Sequence, residues 1–303
     1  MTLAVAGSNG MLGREVVEAA SAAGCTVVPL GGRAECDITD RHEVYSRLQS
    51  VQPDVLVNAA AMTDVDGAEE QYEVAEQLNG HGPGVLAEIC RKINCTLIHF
   101  STDYVFDGAG TKPYRTNDPV DPVNAYGRSK LAGERAIAAT GGRYAVVRTS
   151  WLVAPHGSNF LRTILRLAAE RESIQVVNDQ VGRPTVCRDL AQMSVRLSQR
   201  IAVDSQWSGR ILHAANDGHC SWYELAECIV DTAGLDCVVK PCGSDAFPRP
   251  ARRPAYSVLD ITELADLIGS PQHWRPAVEQ TVRAALAAQT PQATTQPTRE
   301  TRS

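Results

Sequence analysis

Leu3-Ala4-Val5-Ala6-Gly7-Ser8-Asn9-Gly10-Met11-Leu12-Gly13 is the stretch that decides the fold. Four apolar residues running into a glycine read as a short buried strand. Two more glycines follow at three-residue spacing, and from Met11 to about Gly24 the pattern is helical. Glycine is needed where a strand-to-helix turn takes positive φ, where backbone N–H groups approach a pyrophosphate, and where helix packs closely on strand. The spacing Gly-x-x-Gly-x-x-Gly is one residue longer at its front than the commonest dinucleotide fingerprint. An ordinary β-α turn could carry the same three glycines, so the loop takes its meaning from its surroundings.

Outward from the loop, Thr26–Leu30, Val55–Ala61, Thr96–Ser101 and Ala145–Ser150 are further apolar, β-branched runs. Amphipathic stretches at about Arg41–Ser50 and Ala68–Asn94 separate them. Strands alternating with helices and apolar on both faces predict an α/β fold with a doubly wound parallel sheet of Rossmann type. Ligands then bind outside the carboxyl ends of the strands. Residues 1–150 are expected to form the NAD(P)-binding domain. Beyond Trp151 the pattern loosens, with helices over Asn159–Arg171, Arg188–Ile201 and Trp222–Thr232 and short strands at Ile174–Val177 and Ile211–Ala214. Residues 151–288 read as a smaller, discontinuous, mainly substrate-binding domain, some segments of which return to the sheet. Residues 289–303 are Gln, Thr, Pro and Arg with almost nothing apolar, and a disordered tail is expected.

The net charge of −6 argues against nucleic acid as a partner. Nine cysteines, odd in number and never spaced Cys-x-x-Cys, fit reduced thiols packed as small hydrophobes. No basic-then-apolar signal precedes Leu3, and no apolar run approaches the ~20 residues of a membrane span. A cytoplasmic protein, without membrane partner, is expected. His81, His99, His213 and His219 have no metal-like spacing, so they read as structural histidines and no metal is expected.

Ser101-Thr102-Asp103 follows the run Thr96–Phe100 and so falls at a strand's carboxyl end. A hydroxyl there can hold a substrate carbonyl as charge develops on it, or merely cap a loop. Tyr126 and Lys130, four apart, share a helix face. A Lys ammonium within about 4–6 Å would lower the phenol from its ordinary value near 10 toward the working range. Reduction of a ketone needs a hydride at carbon and a proton at oxygen. Tyr126 would give the proton, Thr102 would hold the oxygen, and Lys130 would tune the tyrosine and grip the nicotinamide ribose.

The end of the second strand reads Leu30-Gly31-Gly32-Arg33, without the acid that would take a ribose 2′-OH. Arg33 could instead pair with a 2′-phosphate, favouring NADPH over NADH, or be a solvated surface arginine. Asp37 and Ile38 could face the adenine, or Asp37 could be a turn residue. Asp66-Gly-Ala-Glu69 has capping-box spacing and is assigned to starting a helix. Trp151, just past a strand, could stack on substrate or belong to the core.

Together these residues resemble the extended short-chain dehydrogenase/reductase superfamily and, within it, the dTDP-4-dehydrorhamnose reductase family. The resemblance runs over nearly the whole chain: Gly7–Gly13, Asn58–Asp66, Ser101–Gly108, Tyr126–Glu134, Arg148–Trp151, Asn178–Thr185 and Arg249–Pro254. The strings Ser-Thr-Asp-Tyr-Val-Phe from Ser101 and Asp-Gln-Val-Gly-Arg-Pro-Thr from Asp179 are far more specific than the glycines. The resemblance implies NAD(P)H-dependent reduction of the 4-keto group of dTDP-4-dehydro-β-L-rhamnose. It implies cofactor contacts at Gly10, Met11, Leu12 and Ala59, Ala60 and Ala61, and sugar or ribose contacts at Thr102, Asp103, Tyr126, Lys130 and Trp151. Arg249 and Arg252 suit the nucleotide diphosphate, or a loop-solvating charge cluster. Some members carry a glutamate-built magnesium site at a dimer contact. Glu15 stands at one such place, but Arg188 falls near another, which argues against the metal and that dimer; monomer or homodimer is left open. Another dTDP-deoxysugar 4-ketoreductase, or a non-catalytic NADP-binding regulatory subunit, are the alternative functions.

Overall fold

The structure, a computed structural model, describes residues 1–204 and 208–288; the tail expected at 289–303 lies outside them. The first half runs β1 (Thr2–Ala6), α1 (Met11–Ala22), β2 (Thr26–Pro29), α2 (Arg41–Val51), β3 (Val55–Asn58), α3 (Gly67–Glu70), α4 (Tyr72–Glu76), α5 (Gly82–Lys92), β4 (Thr96–Thr102), α6 (Ala125–Ala139) and β5 (Tyr144–Thr149). The second runs β6 (Leu152–Val153), α7 (Phe160–Glu170), β7 (Ser173–Val177), β8 (Val181–Gly182), β9 (Thr185–Val186), α8 (Cys187–Val203), β10 (Arg210–His213), β11 (Cys220–Ser221), α9 (Trp222–Ala233), β12 (Val238–Cys242), α10 (Thr262–Ile268) and α11 (Trp274–Ala287).

Six parallel strands in the order β10-β5-β4-β3-β1-β2 make the central sheet. Every residue of β3 and β4 is buried, as a strand covered on both faces must be. β1 shows how alternation divides the core. Leu3 and Val5 pack with Val16 of α1 and Leu190 of α8, while Ala4 and Ala6 face Val44 and Leu48 of α2 and Leu86 of α5. Burying each such Val or Leu contributes roughly 1.5–3 kcal/mol. The chain leaves β1 toward β2 on one side and β3 on the other, so the sheet reverses at the β1/β3 boundary, and a crevice opens there outside the strand ends. α8 and β10 belong to this sheet layer although they come from the second half of the sequence.

The rest of the second half packs α7, α9 and α11 against the parallel pair β7–β12 around its own core, including Leu161, Ile174, Leu225 and Val278. α9 begins with a capping box, Ser221 and Glu224 each bonding the other's backbone N–H, and ends at Gly234 with φ of 64°. No described helix is long and apolar enough to cross a membrane.

In the second half β12, α10 and α11 are elements the sequence reading did not anticipate, and in the first half two segments differ from it. The strand expected over Val55–Ala61 stops at Asn58, leaving Ala59–Ala61 as loop at the crevice. The single helix expected over Ala68–Asn94 is instead α3, α4, a π turn at Gln77–His81 and α5. The π turn carries Asn79 inward, where its amide brackets Met62, accepting from its N–H (2.9 Å) and donating to its carbonyl (2.9 Å). Such insertions commonly mark functional positions; this one pins the loop after β3.

Candidate active site

Gly7 has φ of 72°, and a Cβ there would lie 2.6 Å from the Ala60 nitrogen; one on Gly13 would lie 2.1 Å from the Gly7 carbonyl oxygen. Both glycines are therefore demanded by closeness of backbone. Gly10 caps α1 with no side-chain acceptor, so the first-turn N–H groups, Met11 and Leu12 among them, point into the crevice uncapped. Ala59–Ala61 lies directly across, with the Ala60 N–H on Asn58 Oδ1 at 3.0 Å. A pyrophosphate-bearing dinucleotide fits this cradle, for which a side chain on Gly7 or Gly13 leaves no room.

Arg33 is 76% exposed and its Nε lies 2.9 Å from Asp37 Oδ2. Asp37 also accepts from the Thr39 N–H and hydroxyl, which with Arg33 hold its carboxyl below the usual range despite partial burial. Ile38 is buried in the core, against Gly82. Glu35, passed over in the sequence, comes back to the site: it accepts from Asn9 Nδ2 at 2.6 Å and packs on Gly31. Its signal was weak because it lies two residues beyond the place where the strand-end acid is expected.

At the other wall, β4 delivers Thr102 and Asp103, and α6, capped by Asn124 on the Gly127 N–H (2.8 Å), presents Tyr126 and Lys130. Gly127 lets α6 press onto the Tyr104 carbonyl, and the Tyr104 ring meets Tyr126 edge-on at 6.0 Å. Thr102, Asp103 and Tyr126 are thus brought together, with Lys130 one turn along α6 from Tyr126.

The electrostatics correct one expectation. Tyr126 is not acidified: burial and then the Asp103 carboxylate push it up to about 12, against a smaller downward pull from the Thr102 hydroxyl. Lys130 is 2% exposed, with Nζ on the Phe100 carbonyl at 2.6 Å. Burial lowers it to about 8, opposed by Glu134. Burial, Asp103 and Thr102 set the acidity of the phenol, and Lys130 does not lower it.

Asp103 is raised by burial to about 7, with the Ser257 and Thr102 hydroxyls pulling the other way. A carboxyl whose folded pKa lies above its unfolded value destabilises the fold as pH climbs from about 4 through 7. Asp103→Asn is therefore expected to gain stability over the parent by an amount that grows by on the order of 2–3 kcal/mol between pH 5 and pH 8. Urea unfolding at both pH values checks this, and an equal gain at both would refute it.

Beneath the site, Arg148 of β5 and Glu134 of α6 form a buried bidentate pair (2.9 and 2.7 Å), and the Ser101 hydroxyl donates to the same carboxylate at 2.5 Å. Sequence reasoning quoted these residues without assigning them a task.

A cavity of about 680 Å³ continues from Tyr104 between the two halves, lined by Phe160, Trp222, Phe247, Arg249 and Arg252. Trp151 does not line it. Its indole lies between Gly182 and Trp222, stacked on the latter at 3.6 Å and only 9% exposed. Of this stacked pair Trp222 is the one that faces the cavity, a residue the sequence reading placed only at a helix start.

The assignment of Asp66 and Glu69 to a capping box is overturned. Asp66 is already helical, with φ −75° and ψ −43°, and makes no cap bond; Asp64 Oδ1 takes the Gly67 N–H at 2.9 Å instead. Asp66 reaches across to the Ala251 N–H (3.2 Å), Arg253 (2.9 Å) and Arg249 (3.5 Å), tying the 249–253 strap to the loop after β3. Glu69 accepts from the Ala125 N–H at 2.7 Å. Arg252 is left exposed on the cavity wall.

Among the described residues no group of three or more His, Cys, Asp or Glu side chains could hold a metal ion. Glu15 is buried and lies 2.9 Å from His156 Nε2, while Arg188 donates to Gln280.

Residues 1–287 match the family model described as RmlD substrate binding domain. The dTDP-4-dehydrorhamnose reductase of Mycolicibacterium smegmatis is 42% identical over 292 residues, covering 95% of this chain and 87% of the relative. The dTDP-4-keto-6-deoxy-D-glucose reductase of Streptomyces niveus is 39% identical over 279 residues, covering 91% and 94%. The crystal structure of dTDP-4-dehydrorhamnose reductase from Bacillus anthracis, in complex with NADP, superposes with a TM-score of 0.86 at 33% identity, covering 92% of this chain and 98% of that one. With the family model matching over residues 1–287 and these relatives at about 40% identity, the chain belongs to the RmlD family, that of the dTDP-4-dehydrorhamnose reductases.

Proposed function

We propose that the protein reduces the 4-keto group of dTDP-4-dehydro-β-L-rhamnose with NADPH, giving dTDP-L-rhamnose. The observation that carries this reading is the convergence of Thr102 and Tyr126 at the β4 edge, between the glycine cradle and the cavity. The cofactor supplies the hydride when bound. The α1 amides would hold its pyrophosphate, with Ala59–Ala61 opposite and Lys130 toward the nicotinamide ribose. Thr102 would donate to the sugar carbonyl, and Tyr126 would give that oxygen its proton as carbon gains hydride. A buried phenol with a high pKa keeps its proton until charge develops on that oxygen, which suits it to act as the acid. Trp222 and Phe247 offer faces for the pyrimidine, and Arg249 and Arg252 suit the diphosphate.

NADPH oxidation on adding the 4-keto sugar nucleotide, with the product identified by NMR, is the test; purified protein that binds NADPH yet turns over no substrate would end this reading. A second reading, reduction of another dTDP-4-keto-6-deoxy sugar, is favoured by the likeness to the Streptomyces niveus enzyme, and the same assay run with both sugars separates them. Pairing of Arg33 with a 2′-phosphate predicts that Arg33→Ala lowers kcat/KM for NADPH about tenfold and leaves NADH unchanged. Equal loss with both cofactors would remove Arg33 from that role.

A further inference from the structure

Lys130 stands at the inner end of a hydrogen-bond chain whose polarity can be read from the backbone. The Ala60 N–H donates to Asn58 Oδ1 at 3.0 Å, and a backbone N–H is always a donor. That contact fixes which way the Asn58 amide points, a choice otherwise open. Asn58 Nδ2, a donor, therefore faces His99 Nδ1 at 3.0 Å. Nδ1 must accept, so the imidazole carries its proton on Nε2. That nitrogen lies 3.2 Å from Lys130 Nζ. Two donors cannot satisfy one another at that distance, and the amine must accept. Its second contact, donation to the Phe100 carbonyl at 2.6 Å, is one a neutral amine can make.

We infer that His99, oriented by Asn58, is a positioning residue that points an N–H at Lys130 and holds it as a neutral amine in the resting site. Asn58, His99 and Lys130 are 1%, 0% and 2% exposed, so no solvent can relax the chain. The titratable groups bearing on the pair are few. Glu134, one turn along α6, opposes the lowering of Lys130; burial foremost keeps His99 uncharged. Tyr126 lies one turn back on α6, with Asp103 beyond it at the end of β4. A neutral amine keeps one N–H free for a hydroxyl and takes up a proton only when something changes the chain. This device rests on the reductase reading for its consequence in turnover, but not for its detection.

The experiment is long-range 1H–15N correlation NMR on the imidazoles of the full chain, with His99 assigned by its loss in His99→Gln. The expected result is an Nε2–H tautomer that does not titrate between pH 6 and pH 9. An Nδ1–H tautomer, or an imidazolium in that range, overturns the inference. Asn58→Asp keeps an acceptor for the Ala60 N–H but offers Nδ1 a carboxylate. It should flip His99 to the Nδ1–H form and move the Lys130 limb of the pH profile of NADPH binding upward by about one unit or more, a tenfold change in proton affinity. A flipped tautomer with an unmoved limb overturns the link to Lys130. Both measurements need only cofactor, so failure of sugar reduction would count against the proposed function alone.

Discussion

Tyr126→Phe is expected to lower kcat by about 10²–10⁴-fold, the range for loss of a positioned proton donor, while the Kd for NADPH changes by less than about twofold. The phenol oxygen is what the substitution removes. The ring, which meets Tyr104 edge-on, and the helix that carries it are left in place. Stopped-flow reduction and fluorescence titration of NADPH separate the two quantities. A Phe variant with more than about a tenth of the parental kcat would mean that the proton comes from elsewhere, with Asp103 the neighbouring acid to test. A variant that also lost NADPH would show that Tyr126 acts through packing.

Glu134→Ala is expected to destabilise the protein by about 3–5 kcal/mol, because it leaves the Arg148 guanidinium buried without its carboxylate. Both side chains of the pair are no more than 4% exposed, so water cannot take over. Arg148 also lies over the Phe106 ring at 5.1 Å and reaches the Thr116 carbonyl at 3.3 Å, contacts too weak to replace a bidentate partner. Replacing both residues together, Glu134→Leu with Arg148→Met, should cost less than either single change, since no charge is then stranded. Urea unfolding of the three variants measures this. Additive losses would refute the claim that the pair acts as a unit. Because Ser101 donates to the same carboxylate, the single variant should also loosen the end of β4 just before Thr102.

How much of the site was legible followed from how local its causes are. Gly7 and Gly13 were readable because close backbone approach leaves one residue type, wherever the rest of the chain lies. Tyr126 and Lys130 were readable as a pair because helical spacing alone puts them on one face. What Lys130 does there was not readable. Its lowered basicity comes from burial, against the opposing pull of Glu134, and its contacts with His99 and the Phe100 carbonyl come from a strand some thirty residues earlier. Asp66 and Glu69 mimicked a capping box because the motif is only a spacing, and the spacing holds whether or not the side chains turn to their own helix. Trp151 was left open between substrate and core for the same reason: it flanks a strand end, and only its stacking on Trp222 decides which of the two meets the cavity.

The amino-acid order by itself determined the alternation of strand and helix, the dinucleotide cradle and the Thr102–Tyr126–Lys130 set, since each depends on periodicity or on a conformation that few residues tolerate. Tertiary structure alone decided which segments of the second half, α8 and β10, return to the sheet, the Asp66 tie to the 249–253 strap, the Glu134–Arg148 pair and the direction of the Asn58–His99–Lys130 chain. Those are contacts between distant segments, and a charge or a hydrogen bond acquires its sign and strength only when burial and its partner are both in place.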